Sequence, residues 1–367
     1  MRSGLQAAGS LAAGRMAYAF TERFPDKDRM KAIVLEKPGY LRMTDLKDPM
    51  TRKPEEAVVR VQRVGICGTD LHASQGSQPF FAYPRILGHE LGVEIADIGK
   101  NEFGLKVGDR CALEPYINCG RCVACRRGKP NCCVELQVLG VHLDGGMQEQ
   151  LVAPILKLHK SETLSFDQLA LAEMLSIGLH AVQRASLSPD DVLLVVGAGP
   201  IGLAVIEFVR LAGLEVTVMD VNEKRLAYCR DSLKVANCID AKGEPLSQLL
   251  EIHHGELPTV VFDCTGNPQS MMNAFCYVAH GGKLIFVGLF VGDVTFNDPS
   301  FHSHEMTLIS SRNATGLEFR RVLRMMESGV IDAGRWVTHH VHYSSVADQF
   351  PHWVHSDDEF RKALVEW

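Results

Sequence analysis

Short apolar runs alternate with amphipathic segments through the second half of the chain. Residues 192–196 are wholly apolar, and residues 203–212 after them have the apolar spacing of a helix. Parallel strands that are buried on both faces have continuous apolar sequences of this kind. The alternation therefore predicts an α/β fold with a doubly wound parallel sheet. The further predicted strands are 216–219, 259–262, 284–287 and 307–310, and the predicted helices are 223–234 and 268–280.

The first half of the chain has a different pattern. Residues 57–64 alternate between apolar and polar, and other short β-type runs between residues 30 and 156 are separated by Gly and Pro. This pattern predicts a β-rich domain whose first strand is 30–35. A helix at 166–186 leads into the parallel sheet, and the tail, with a helix at 318–328, is expected to return to the β-rich domain. The predicted division is an extension at 1–29, a β-rich domain of 30–174 and 317–367, and a parallel-sheet domain of 175–316.

A glycine-rich turn connects the strand at 192–196 to its helix. Gly197, Gly199 and Gly202 have the spacing G-x-G-x-x-G, with Pro200 and Ile201 between them. This spacing provides a tight turn, room for a pyrophosphate and close packing of helix on strand, and the helix N-terminus favours the negative charge of the pyrophosphate. The turn predicts a dinucleotide site. The alternative is an ordinary βαβ turn without a ligand.

Asp220 ends the next predicted strand. A carboxylate in this position accepts hydrogen bonds from the ribose hydroxyls and repels a 2′-phosphate, which favours NAD over NADP. In the alternative reading, Asp220 is a solvated loop residue.

Composition and charge narrow the choice of partners. The chain has 367 residues, 46% of them hydrophobic and 22% charged, and a formal net charge of -6. These values suggest neither nucleic acid nor a membrane surface as a partner, and no apolar run is long enough to span a bilayer. The Ala- and Gly-rich residues 1–29 lack the apolar core of a secretory signal. We interpret them as an extension from an upstream start codon, with organelle targeting as the alternative, and expect a cytoplasmic protein with a small-molecule substrate.

A cluster of cysteines predicts a structural metal site. Cys119, Cys122 and Cys125 are followed by the adjacent pair Cys132 and Cys133. Four thiolates complete the tetrahedral coordination of a zinc ion and leave no position for chemistry. The spacing does not decide between Cys132 and Cys133 as the fourth ligand. The alternative is a set of unrelated surface thiols.

A second group of residues is suited to a catalytic metal. Cys67, His89 and Glu90 provide a thiolate, an imidazole and a carboxylate, and Glu173 is a further carboxylate. Three protein ligands leave one position of a zinc ion open for water or substrate. Taken singly, each residue also has an ordinary explanation, as a buried core cysteine, a histidine with its hydrogen bonds made inside the protein, or a solvated acid.

Four motifs together resemble the zinc-dependent medium-chain dehydrogenase/reductase superfamily. They are G-I-C-G-T-D-L-H at 65–72, L-G-H-E at 87–90, the cysteine cluster at 119–133, and V-V-G-A-G-P-I-G at 195–202. The resemblance covers residues 30–367. It implies a GroES-like β-rich catalytic domain plus a Rossmann domain, with one catalytic and one structural zinc and the active site in the cleft between the domains.

The resemblance also implies roles for individual residues. Cys67, His89 and Glu90 match the zinc ligands of the polyol-type branch. Glu173 matches the residue that approaches the metal directly or through water, although Met174 stands where the family usually has proline. The remaining matches are Asp70 as the residue that orients the histidine, Thr69 and His72 as the proton relay, and Cys133 as the fourth ligand of the cysteine cluster.

Several loops resemble a narrower group, the bacterial sugar-acid dehydrogenases. These loops are 78–85, 140–146, 287–290, 301–302 and 311–315. The resemblance implies oxidation of L-galactonate or L-gulonate at C5 with NAD. Arg312 is the candidate for binding the substrate carboxylate, with a cofactor-phosphate or interface contact as its alternative. Arg85 is a weaker second candidate, for which a structural ion pair is the favoured interpretation. The residues expected around the dinucleotide beyond the glycine turn are Arg225, Thr265, Gly266, Gly288, Leu289 and Phe290.

Other functions remain open at this point. L-threonine 3-dehydrogenase and sorbitol or alcohol dehydrogenase share the same ligand types, and a non-catalytic dinucleotide sensor belongs to a different class. We also expect a homo-oligomer, dimer or tetramer, in which the strand at 284–287, taken as the sheet edge, and the segment that follows it pair across a twofold axis with a second copy of the chain.

Overall fold

The structure, a computed structural model, describes residues 29–48, 52–355 and 361–367. The predicted extension lies outside these ranges apart from Arg29. In the described ranges the strands are β1 (Arg29–Lys37), β2 (Tyr40–Lys47), β3 (Glu56–Gly65), β4 (Arg85–Ile86), β5 (Glu90–Ile98), β6 (Arg110–Leu113), β7 (Tyr116–Ile117), β8 (Gln137–Val138), β9 (Gln150–Pro154), β10 (Leu158–Lys160), β11 (Leu193–Val196), β12 (Val216–Asp220), β13 (Asn237–Asp240), β14 (Val260–Asp263), β15 (Lys283–Phe286), β16 (Thr307–Ser310), β17 (Val337–His342) and β18 (Lys362–Glu366). The α-helices are α1 (Gly68–Gln75), α2 (Val123–Arg126), α3 (Phe166–Ala185), α4 (Pro200–Leu211), α5 (Glu223–Asp231), α6 (Pro245–Ile252), α7 (Pro268–Asn273), α8 (Asp298–Ser303), α9 (Gly316–Glu327) and α10 (Val346–His355).

The β-rich part is built on a seven-stranded sheet. Its strand order is β10-β6-β5-β3-β18-β17, and β9 also pairs with β3. Alternate side chains of β3 and β5, including Val59, Val61, Val93 and Ile95, are buried in one core. β18 pairs antiparallel with β3, so the tail of the chain returns to this sheet. A three-stranded sheet of order β2-β1-β4 lies beside it.

The second half forms a six-stranded parallel sheet. The strand order is β13-β12-β11-β14-β15-β16, which is the order of a doubly wound dinucleotide-binding fold. All four residues of β11 are buried, as the continuous apolar run predicts. The order reverses between β11 and β14, and ligands of such sheets bind at the carboxyl ends of the strands at this point. The predicted α/β class with a β-rich domain is confirmed.

The prediction that the strand at 284–287 lies at the edge of the parallel sheet is wrong. β15 is paired on one side with β14 and on the other with β16, so the predicted edge strand is interior. The outer strand is β16, most of whose residues are exposed. Apolar side chains of β15 are buried on both faces, but the sequence pattern carries no information on which strand lies beside which.

The helix predicted at 268–280 is shorter in the structure, since α7 ends at Asn273 and a 3₁₀ turn follows.

Helix α3 connects the two halves of the molecule. Ser165 caps it by accepting a hydrogen bond from the backbone N–H of Gln168 at 3.2 Å. One side of α3 packs on β5 and β6, and another packs on α4 and α9. At the crossing with α4, Gly178 is so close to Ala204 that a Cβ on Gly178 would lie 2.5 Å from the Cβ of Ala204. The helix is continuous across the predicted boundary between residues 174 and 175.

None of the helices in the described ranges has the length and apolar character needed to cross a membrane.

Candidate active site

Asp70 joins two of the predicted metal-ligand segments. Cys67 stands at the N-terminus of α1, and its backbone N–H donates to Oδ2 of Asp70 at 2.9 Å. Oδ1 of the same carboxylate accepts the backbone N–H of Gly88 at 3.2 Å and lies 3.7 Å from Nδ1 of His89. Because Asp70 is completely buried, these contacts hold the Cys67 turn and the His89 segment in a fixed relation.

The side chains of Cys67, His89 and Glu90 converge. One ligand atom from each lies within 4.8 Å of the other two. Glu90 begins β5 opposite Gly65 of β3, and Cys67 follows that strand, so the strand register brings the two side chains together. A sulfur, a nitrogen and a carboxylate oxygen are the ligand atoms that zinc prefers, and three of them leave a fourth position open.

The electrostatics of this group favour a cation. Burial disfavours a charged imidazole, but the negative charges of Asp70 and Cys67 outweigh burial and hold the pKa of His89 well above its usual range. Nδ1 of His89 is buried and has no hydrogen-bond partner among the described residues. The raised pKa indicates that a positive charge is favoured in this buried place, which fits a bound divalent ion.

The carboxylate of Glu90 is held by a lysine that the sequence reasoning missed. The Nζ atom of Lys362 donates to both carboxylate oxygens of Glu90 at 2.7 Å and to the carbonyl of Ile66 at 3.1 Å. Lys362 is 1% exposed. The ion pair balances one negative charge and fixes the orientation of Glu90. The one hint in the sequence is a lysine at the start of the apolar run 363–365.

Glu173 lies beside the group without belonging to it. Among the described residues, it is not part of the cluster of converging ligand atoms. The hydroxyl of Tyr116, another residue that the sequence reasoning missed, donates to Oε1 of Glu173, whereas Oε2 is buried without a partner. Burial and the charge of Glu90 raise the pKa of Glu173 to about 7, against the opposing effects of His89 and Tyr116. One oxygen is therefore oriented by Tyr116 and the other remains available.

Thr69 and His72 lie on the first helix of the site. They are three residues apart on α1, a spacing that places two side chains on the same side of a helix. Thr69 is half-buried and His72 is exposed. The pair thus extends from the neighbourhood of Cys67 towards solvent.

The cysteine cluster forms a second, more exposed group. Sulfur atoms of Cys119, Cys122, Cys125 and Cys133 all lie within 4.8 Å of one another, whereas Cys132 is exposed outside the group. Hydrogen bonds from the backbone N–H groups of Cys125 and Val134 lower the pKa of Cys122 to about 6. Thiolates with lowered pKa values are the form that binds zinc.

The glycine turn has the geometry of a dinucleotide site. Gly197 has a φ of 93°, in the left-handed region, and a Cβ on Gly202 would lie 1.8 Å from the carbonyl oxygen of Gly197. Gly199 is the N-cap of α4, Pro200 is its first residue, and Ile201 follows in the first turn. Free N–H groups of this helix end are available to a phosphate.

Asp220 stands at the carboxyl end of β12, as predicted, and is 4% exposed. Its oxygens accept the backbone N–H groups of Ala198 at 2.6 Å and Asn222 at 2.8 Å. Nη1 of Arg225 lies 3.9 Å from the same carboxylate. Asp220 therefore joins the glycine turn to the next loop, with Arg225 beside both.

The expected nicotinamide residues are adjacent at the carboxyl edge of the sheet. Thr265 donates from its hydroxyl to Asp263 at 2.7 Å. The backbones of Gly266 and Gly288 are in direct contact, since a Cβ on Gly288 would lie 2.2 Å from the backbone nitrogen of Gly266. Leu289, which is exposed, and Phe290 continue this loop.

The two candidate substrate arginines have different surroundings. Arg312 follows β16 at the same edge, and its guanidinium lies 5.9 Å from the ring centre of Phe80. Arg85 makes an ion pair with Asp144 at 3.2 Å. The structure therefore supports the ion-pair interpretation for Arg85 and leaves the side chain of Arg312 available.

Comparisons with known proteins agree with this architecture. Residues 53–163 match the family described as the alcohol dehydrogenase GroES-like domain, and residues 200–328 match the zinc-binding dehydrogenase family. The fold and the site thus define a zinc-type dehydrogenase with a nicotinamide dinucleotide site. The chain belongs to the zinc-dependent medium-chain dehydrogenase family, as the sequence motifs predict.

Individual relatives cover nearly the whole chain. L-galactonate-5-dehydrogenase of Escherichia coli (strain K12) is 38% identical over 337 residues, which are 92% of this chain and 98% of that relative. Sorbitol dehydrogenase of Bacillus subtilis (strain 168) is 29% identical, over 92% of this chain and 97% of the relative. The crystal structure of a short chain alcohol dehydrogenase (rspB) from Escherichia coli CFT073, complexed with the cofactor NADH, has a TM-score of 0.86 and 28% identity. It covers 93% of this chain and 100% of that structure.

Proposed function

We propose that this enzyme oxidises a secondary hydroxyl of an acyclic sugar acid of the L-galactonate or L-gulonate type, with NAD as hydride acceptor. The observation that carries the proposal is the convergence of Cys67, His89 and Glu90 within 4.8 Å in a buried place. The similarity to L-galactonate-5-dehydrogenase over nearly both whole chains supports the choice of substrate.

In this proposal Cys67, His89 and Glu90 hold the catalytic zinc. A bound zinc ion supplies Lewis acidity that lowers the pKa of an alcohol hydroxyl. Asp70 and Lys362 orient the ligands, because they contact the His89 and Glu90 segments directly. The free Oε2 of Glu173 takes the remaining side of the site, directly or through water. Residues 30–174 and 317–367 are the catalytic domain, and residues 175–316 bind the dinucleotide.

The proton leaves along α1. Thr69 accepts it from the substrate hydroxyl and passes it towards His72, an exposed imidazole, and imidazole is the side chain suited to proton exchange near neutral pH. The half-buried position of Thr69 and the exposed position of His72 give this path its direction. Cys119, Cys122, Cys125 and Cys133 hold the structural zinc and take no part in the proton path.

The glycine turn and α4 bind the pyrophosphate, and the preference for NAD follows from Asp220. The carboxylate is negative and adjacent to the turn, so a 2′-phosphate would be repelled. Arg225 lies between Asp220 and the turn and is suited to either ribose or phosphate oxygens. Thr265, Gly266, Gly288, Leu289 and Phe290 surround the nicotinamide.

The homo-oligomer belongs to this proposal too. Since β15 is interior, the free edge for pairing with a second copy is β16, whose Thr307 and Leu308 are exposed. Light scattering on the purified protein measures the assembly.

Initial rates of NAD reduction test the activity. L-galactonate, L-gulonate, sorbitol and L-threonine are compared side by side on enzyme with a measured zinc content. We expect two zinc ions per chain and the highest kcat/KM with one of the two sugar acids. Turnover of threonine alone contradicts the proposed substrate. A protein with one zinc ion and no turnover of any of these alcohols contradicts the enzymatic assignment in favour of a sensor.

A further inference from the structure

The ring of Phe80 contacts two nitrogen-bearing side chains, those of Arg312 and His142. The guanidinium of Arg312 lies over Phe80 at 5.9 Å from the ring centre. The imidazole of His142 stacks on the same ring, with centroids 6.3 Å apart and an interplanar angle of 26°. Cation–π contact and stacking bring the donors of both side chains to one ring, that of Phe80, which is 51% exposed.

The three residues come from segments that border the catalytic group. Phe80 follows α1, the helix that Cys67 begins. The loop that carries His142 packs on the residue before His89, since a Cβ on Gly140 would lie 2.9 Å from the backbone of Gly88. Arg312 follows β16 at the carboxyl edge of the parallel sheet, the edge at which the dinucleotide binds. The cluster is thus assembled from a loop that contacts the His89 segment, the chain that follows α1, and the carboxyl edge of the parallel sheet.

His142 presents a donor to this region. The backbone N–H of Val138 donates to Nδ1 of His142 at 3.1 Å. When Nδ1 accepts, the proton of the neutral ring is on Nε2, which has no partner among the described residues. Burial, and then the positive charges of Arg312 and Arg85, lower the pKa of His142. The imidazole therefore serves as a neutral N–H donor near neutral pH.

Arg312 is the free positive charge of the cluster. No carboxylate within the described ranges forms an ion pair with its guanidinium, whereas Arg85 is paired with Asp144 at 3.2 Å. The backbone of Arg312 is fixed, because Nδ2 of Asn131 donates to its carbonyl at 2.9 Å. A fixed backbone and a free planar guanidinium are suited to bidentate binding of an anion.

We propose that Arg312 and His142, held by Phe80, form a subsite for the carboxylate of the substrate. The inference rests on the proposed function, and it extends that function by assigning the discrimination between sugar acids and neutral polyols to these residues. The guanidinium binds the carboxylate through two N–H groups, and Nε2–H of His142 supplies a third donor. The Arg85–Asp144 pair adds little net charge and lies outside the subsite. A phosphate ester would use the same donors, so it is included in the test.

Binding and turnover are measured on the zinc-loaded enzyme with L-galactonate, sorbitol and a hexitol phosphate. The variants are R312Q, R312K and H142Q, and R324Q serves as control because Arg324 is an exposed arginine of α9. Calorimetric binding of L-galactonate in the presence of NADH does not depend on turnover. Turnover of sorbitol, which lacks a carboxylate, checks that each variant is folded and active.

We expect R312Q to weaken L-galactonate binding and to lower its kcat/KM by about 100-fold, mainly through KM, since charge-assisted bidentate bonds are the strong ones. R312K should recover part of this loss, H142Q should lose about 5-fold, and R324Q and the sorbitol rates should change less than about 2-fold. Loss of L-galactonate binding in R312Q supports the subsite even if wild-type turnover fails, which would refute the proposed function alone. Unchanged L-galactonate binding in R312Q, or equal losses for sorbitol, overturns the subsite. A stronger effect of R312Q on the phosphate ester overturns the carboxylate assignment.

Discussion

The two groups of candidate metal ligands in this molecule are built in opposite ways. The cysteine cluster takes all four ligands from residues 119–133, is only partly buried, and receives hydrogen bonds mostly from its own backbone. The catalytic group takes Cys67 from one segment and His89 and Glu90 from another; His89 and Glu90 are buried and Cys67 is half-buried. Asp70, a neighbour of Cys67 on α1, and the distant Lys362 hold its ligands.

This difference shows that the burial of a group of metal ligands determines which contacts its charges need. A local, half-exposed group is organised by the turns of its own segment, and water can solvate its charges. A buried group needs partners for every charge, because an unpaired buried carboxylate is costly. The catalytic group therefore depends on contacts between the neighbouring strands β3, β5 and β18, and the two groups should respond differently to substitution.

The largest expected effect is that of Cys67→Ala, which removes a ligand of the buried group. We expect turnover to fall by about 1000-fold or more, because several kcal/mol of charge stabilisation depend on the bound ion. Dinucleotide binding, measured by NADH fluorescence, should stay within about 2-fold, and metal analysis should show one zinc instead of two. Turnover within about 10-fold of the wild type would refute the assignment of Cys67.

Lys362→Met tests the dependence of the buried group on its distant partner. Removal of the ammonium leaves Glu90 buried without its counter-charge, so we expect the zinc-free protein to lose about 3 kcal/mol of unfolding free energy. Added zinc should restore part of this loss by supplying a positive charge at the same carboxylate. Urea unfolding with and without zinc measures both values. In the double variant with Glu90→Gln the zinc-free loss should be smaller, and an equal loss would contradict the ion-pair explanation.

Cys122→Ala tests the local group. Structural zinc sites contribute their binding energy to folding, so we expect a loss of about 2 kcal/mol of unfolding free energy. The specific activity of the folded fraction should fall by less than about 10-fold, since the cluster has no place in the proton path. Denaturant unfolding monitored by tryptophan fluorescence and by activity separates the two effects. A loss of activity as large as that of Cys67→Ala, with unchanged stability, would reverse the roles of the two groups.

The smallest expected effect concerns the attachment of the cysteine cluster to the rest of the fold. Nδ2 of Asn131 lies 3.2 Å from Nε2 of His180, and Nδ1 of His180 lies 2.8 Å from Oε1 of Glu318. Burial opposes ionisation of Glu318, but hydrogen bonds from His180 and Thr315 outweigh burial and lower its pKa.

A carboxyl group with a lowered folded-state pKa stabilises the protein above its unfolded pKa, and this contribution is lost as pH falls through the folded value. We therefore expect Glu318→Gln to cost about 1 kcal/mol at neutral pH and progressively less below about pH 4. Urea unfolding at several pH values measures the difference from the wild type. A difference that is constant with pH would exclude ionised Glu318 as the cause.

The parts that could be predicted from sequence are those encoded over short distances. The apolar run at 192–196, the glycine turn and the cysteine cluster each lie within a few residues, and local spacing reflects their geometry directly. The catalytic group was ambiguous on spacing alone, and the family resemblance was needed to connect Cys67 with His89 and Glu90.

Contacts between distant segments could not be predicted. Lys362 is 272 residues from Glu90, and no periodicity relates the two. Tyr116 stands before the cysteine cluster, yet its hydroxyl binds Glu173 on α3. The position of β15 inside the sheet is of the same kind, because strand order depends on tertiary packing that the apolar pattern of one strand does not contain.

Helix α3 fixes the distance between Glu173 and the contact of the helix with α4. Glu173 and Gly178 are five residues apart on it, a rise of about 7.5 Å, and Gly178 fixes the helix against α4, which begins at the glycine turn. Insertion of a single residue between them would rotate Glu173 by about 100° about the helix axis and turn its carboxylate away from Tyr116. The number of residues between Glu173 and Gly178 is therefore a condition for the geometry of the site.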